Sequence, residues 1–177
     1  MAARGKLAAP GRAIASWLAL VLLVAVAATG CAGFRGGNVA YVGDQIITQS
    51  QLDTALGGVQ ETLQEGQQVS TDAVVNVMIH GAIANQIAAA NKIAVTDAER
   101  DKVLAESNLA PLLNVAAAKP IAYDAATQQI VATKMGSAKY LEAVTSVPVQ
   151  LNPRFGVLNT TEKTIIEGLS SSLSVPA

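Results

Sequence analysis

One cysteine, one histidine and one tryptophan in 177 residues leave few means for several kinds of chemistry. With Cys31 as the sole cysteine, no disulfide can form within the chain. A hydrolytic Ser-His-Asp or Cys-His arrangement would have to be built on His80. Transition-metal sites favour several Cys or His ligands, so no metal site is assigned. His80 stands beside Ile79 and one turn after Asn76, where it is expected to be a hydrogen-bonded histidine at the edge of a core. A phosphate-cradling loop is also missing, because neither Gly36-Gly37 nor Gly57-Gly58 leads into the required GK[ST] or strand context. Glu99, Asp101 and Glu106 lack the glycine turn and alternating oxygen ligands of a calcium loop, and read as a solvated face. No catalytic residue and no cofactor are therefore expected. Internal repeats are absent as well.

Acidic residues are missing from the first thirty positions, whose only charges are Arg4, Lys6 and Arg12. Ala13 to Ala28 reads AIASWLALVLLVAVAA, an apolar run followed by the small residues Thr29 and Gly30. A basic start, an apolar middle and a small-residue cleavage site define a secretory signal. Sixteen apolar residues are somewhat short for a spanning helix, which needs about 20. Ala28-Thr29-Gly30-Cys31 resembles the lipobox of bacterial lipoproteins, with Ala28 where that pattern usually has leucine. The resemblance implies cleavage between Gly30 and Cys31, a diacylglycerol thioether on Cys31, and anchoring to the outer face of the cytoplasmic membrane. A plain signal peptide with an incidental cysteine, or an uncleaved anchor helix, are the alternatives. Lipidation would also account for a lone cysteine in an oxidising compartment.

Beyond residue 30 the chain has nine basic and thirteen acidic residues, a side-chain net charge of −4. Nucleic acid calls for a basic footprint, and anionic lipid for a polybasic one, so neither is an expected partner. Ala32 to Gly37 reads as a short tether (residues 31–37). Val39–Val42 and Gln45–Ile47 are β-prone runs separated by Gly43-Asp44, a tight-hairpin signal. Thr48 with Gln51 fits a capping box, opening a helix that Gly57-Gly58 should weaken or kink. Ser70 or Thr71 caps the longest helix, roughly Thr71 to Asn91. Val75, Ile79, Ile83 and Ile87 form a stripe at i+4 spacing, and Val74, Val77 and Met78 add apolar bulk elsewhere. A helix apolar on all sides is buried by several neighbours. Thr96 and Glu99 make a second capping box, for a charged helix to about Ser107. A short helix around Leu112 should close before Pro120. Asp124 to Met135 follows as a helix, stopped by Gly136, with a further turn or two over Ala138 to Val144. Val147 to Leu151 alternates as a strand, and residues 159–177 read as a flexible tail.

VAYVGDQIITQSQLDTAL resembles the opening of the SurA-type chaperone N-terminal domain family. The resemblance rests on Val42-Gly43-Asp44, Ile46-Ile47-Thr48 and Ser50-Gln51-Leu52-Asp53. The link Ile93-Ala94-Val95-Thr96-Asp97-Ala98-Glu99 and the segment Val149 to Gly156 are similar to later parts of the same domain. It implies a mostly α fold over residues 38–158, with the N-terminal hairpin joined by a returning strand. It implies further a membrane-tethered, ATP-independent chaperone or holdase for unfolded or nascent exported polypeptides. Met78, Val75, Ile79 and Ile83 are the client-binding residues the resemblance implies, although hydrophobic periodicity reports burial first and favours reading the same residues as core. The parvulin prolyl-isomerase domain of many relatives has no counterpart here, so an enzyme is not expected. An envelope docking module without general chaperone activity is the alternative function.

Overall fold

Asn38 begins the ordered pairing of the chain, in a computed structural model that describes residues 36–166. The expected signal, the lipobox and residues 167–177 lie outside the described residues. β1 (Asn38–Val42) and β2 (Gln45–Thr48) are antiparallel, with Val42 opposite Gln45, so Gly43-Asp44 is the two-residue loop. Gly43 takes φ +50°, a left-handed conformation that glycine adopts at little cost. Its amide donates to the Pro148 carbonyl at 2.8 Å, tying the loop to a third strand. That strand, β3 (Val149–Leu151), pairs antiparallel with β1, giving a sheet of order β2-β1-β3. A lone hairpin is marginal in water. Here the returning strand covers one edge, and Val39, Ala40 and Val42 are fully buried.

Thr48 caps α1 (Gln49–Gln60) through a capping box with Gln51. Gly57-Gly58 does not break the helix, which runs through both. The reason is a close approach: a Cβ on Gly58 would lie 2.4 Å from the Ala118 backbone nitrogen. Packing against that backbone offsets the roughly 1 kcal/mol that glycine costs a helix.

Ser70 caps α2 (Thr71–Ala90), the central helix. It is long and apolar enough to cross a membrane, but half of it is buried inside the protein. Its most extensive neighbour is α4 (Lys119–Met135), and α1, the sheet and α5 (Ser137–Ser146) also touch it. Between α2 and α4 come α3 (Asp97–Ala105), capped by Thr96 and Glu99, and a 3-10 turn, Ala110–Asn114. The short helix around Leu112 closes before Pro120 as expected, whereas α4 starts at Lys119 rather than Asp124, with Pro120 in its first turn. There the missing N–H has no intrahelical partner to lose and the fixed φ suits the helix.

The flexible-tail expectation for residues 159–177 fails over its first part. β4 (Val157–Asn159) and β5 (Thr164–Ile166) form a second antiparallel pair. Asn159 Oδ1 accepts from the amides of Thr161 and Glu162 and closes the turn. The Ile165 amide donates to Asn76 Oδ1 of α2 at 2.7 Å, and the Ile165 side chain is buried. The domain therefore extends beyond Leu158 to at least Ile166.

Candidate functional site

Val75, Ile79 and Ile83 are each 0 % exposed and form part of the main core. This corrects the expectation of a client-facing stripe: α2 is covered on several sides, so the stripe is spent on the interior. Met78, 9 % exposed, lines a cavity. That cavity, about 370 Å³, is bordered by Gln45, Gln51 and Thr54 on one side and by Ile121 and Asp124 of α4 on the other. Its walls are mixed in polarity. Asp124 packs against α2 at Gly81, where an added Cβ would lie 2.3 Å from the Asp124 Cβ. Burial pushes the Asp124 carboxyl up to about 7, and the Arg100 charge offsets this only in part. Arg100 is otherwise engaged, donating to Asp97 at 2.6 Å and to Thr127 at 2.9 Å.

An almost wholly apolar concavity lies elsewhere. Val59 at the end of α1, Val69 before α2, Val74 and Val77 on α2, and Leu109 and Leu112 beside the 3-10 turn enclose about 180 Å³. Ile121 and Ala125 of α4 close its floor. Val59, Val69, Val77, Leu109 and Leu112 are all partly exposed, so the cleft is open to the surface. An apolar cavity of about 150 Å³ takes a benzene ring, so this one has room for one or two aliphatic side chains. Sequence reading missed the cleft because its residues come from four elements whose apposition no local pattern shows.

The charged face of α3 is a set of pairs. Glu99 meets Lys134 of α4 at 2.5 Å, and this contact with the Thr96 amide holds its carboxyl down at about 2. Asp101 accepts from the Tyr123 hydroxyl at 2.7 Å. Among the described residues, no three of His, Cys, Asp and Glu converge on one point. His80 departs from expectation: its Nδ1 is buried with no hydrogen-bond partner among the described residues. Desolvation lowers its pKa. Comparison with family models, curated proteins and solved structures finds no match for the chain.

Proposed function

We propose that the chain is an exported lipoprotein, anchored by lipid on Cys31, that binds short apolar segments of other exported polypeptides without ATP and without catalysing a reaction. The observation that carries the reading is the open apolar cleft of Val59, Val69, Val77, Leu109 and Leu112. Its support in the sequence is the secretory signal, the lipobox-like Ala28 to Cys31, and the SurA-type resemblance. The size of the cleft favours one of two modes of binding. A general holdase wraps an unfolded chain on a broad apolar surface, whereas the core of this domain is closed around Val75, Ile79 and Ile83. A cleft for one or two side chains suits selective docking of a short segment. Apolar burial is non-directional and the mature charge is small, so binding should depend weakly on salt.

Aggregation assays with three unrelated unfolded clients test this, run beside a panel of exported apolar peptides. Selective docking gives tight binding of a subset of peptides and little suppression of aggregation. Suppression of all three clients at near-stoichiometric ratios would instead establish the holdase mode, and no binding in either assay would refute both. Val77→Asp, at a partly exposed wall of the cleft, should weaken peptide capture at least tenfold, because it places a charge where an apolar side chain docks. Circular dichroism should show its helices intact.

The anchor has its own test. Cys31→Ser should move the protein entirely out of the lipid-modified membrane fraction. Intact-mass analysis of membrane-extracted wild type should show the mature chain beginning at Cys31 with a lipid adduct. A mature species without one would remove the tether from the proposal.

A further inference from the structure

Two buried polar atoms have no hydrogen-bond partner among the described residues, His80 Nδ1 and Tyr140 Oη, and both side chains line one cavity. It measures about 360 Å³ and lies between α2, α4, α5 and the β4–β5 turn. Ligand sites in proteins span about 300–1,000 Å³, whereas a single water takes about 30 Å³. Leu141 and Val144 supply apolar wall, and Leu141, 64 % exposed, marks the mouth together with Glu162. Tyr140 is only 4 % exposed. Buried polar groups are almost always hydrogen-bonded, so this pair holds bonding capacity that the described fold does not use.

We propose that the cavity binds an uncharged amphiphile of the alcohol or phenol class, its hydrocarbon body on Leu141 and Val144 and its hydroxyl accepting from Tyr140 Oη, with His80 Nδ1 as the second polar contact. The charges of the site point to a neutral ligand. Burial pushes the Tyr140 hydroxyl up to about 12, so it keeps its proton and donates. Desolvation lowers the His80 pKa, so the imidazole is neutral at pH 7 and offers an anion no countercharge. Glu162 at the rim repels anions further. The cavity is separate from the apolar cleft, and the inference does not rest on polypeptide binding.

The test uses the full chain in lipid nanodiscs, titrated with p-cresol, toluene and benzoate, with empty nanodiscs as the partition control. Methyl NMR signals of Leu141 and Val144 are the readout. p-Cresol should shift both saturably, at an affinity about tenfold or more above that of toluene, its isostere without the hydroxyl, a ratio worth 1.4 kcal/mol. Benzoate should give no saturable shift. Tyr140→Phe should cut p-cresol affinity to the level that toluene shows on the same variant. Equal affinity for p-cresol and toluene would overturn the proposal, as would an absence of saturable shifts with p-cresol. The p-cresol and toluene comparison needs no variant, so the test holds even if Tyr140→Phe fails to fold.

Discussion

Asp124→Asn is expected to be more stable than the wild type at pH 8, by up to about 4 kcal/mol, with the advantage gone near pH 4. The carboxyl is largely buried between α4 and the bare backbone of α2 at Gly81, and among the described residues the Arg100 charge compensates its own only in part. Burial disfavours the ionised form and brings the native pKa to about 7, against 3.8 as the ordinary value. Below 3.8 the carboxyl is protonated in native and unfolded chains alike, and the charge costs nothing. Between 3.8 and 7 the native state holds a proton that the unfolded state releases, so stability falls as pH rises. Above 7 both states are ionised and the full cost stands. Each unit of difference is 1.36 kcal/mol, which sets the limit; the buried amide of asparagine, with unmet hydrogen bonds of its own, offsets part of the gain. Urea unfolding of the full chain at pH 4, 6 and 8 measures it. Other titrations, such as that of Glu99, cancel in the comparison of variant with wild type. A stability difference that does not change with pH would show that the Asp124 charge is not the cause.

Local chemistry in this chain is legible, and apposition is not. Thr48 with Gln51, and Thr96 with Glu99, are capping boxes in the structure as in the sequence, because a cap needs only residues three apart. Gly43-Asp44 forms the expected tight loop for the same reason. The pairing of β1 with β3 joins segments more than a hundred residues apart, yet it follows from the marginal stability of a bare hairpin and the alternation around Val149. What escaped the reading depends on contacts between distant elements. Gly58 and Gly81 look like helix weaknesses until the Ala117-Ala118 backbone and the Asp124 side chain are found where their Cβ atoms would lie. β5 is held by Asn76, which nothing near Ile165 announces. His80 and Tyr140 share a cavity across sixty residues of sequence. The apolar α2 likewise told of burial without telling what does the burying, so an open cradle stayed possible beside the closed core that the pattern favours.

Ile79→Ala decides which of those two readings governs the residue in solution, and it should lower the unfolding free energy by about 2–5 kcal/mol. Ile79 is fully buried in the cluster that joins α2 to α1, the sheet and α5. Removing its branched tip forfeits the transfer free energy of the lost carbons and leaves a cavity that rigid neighbours fill only in part. Natural domains have only about 5–15 kcal/mol of stability, so the variant should show a clear drop in urea midpoint at an unchanged slope. Ile79 touches neither the apolar cleft nor the cavity beside Tyr140. The fraction that stays folded should therefore bind peptide and p-cresol as the wild type does. Val77→Asp should give a different pattern, with peptide capture lost in the fraction that stays folded, because Val77 stands partly exposed at the cleft wall. A residue of an open cradle would behave like Val77. If Ile79→Ala cost less than about 1 kcal/mol while weakening capture, the core would open in solution, and broad chaperone binding would replace selective docking as the better account of the domain.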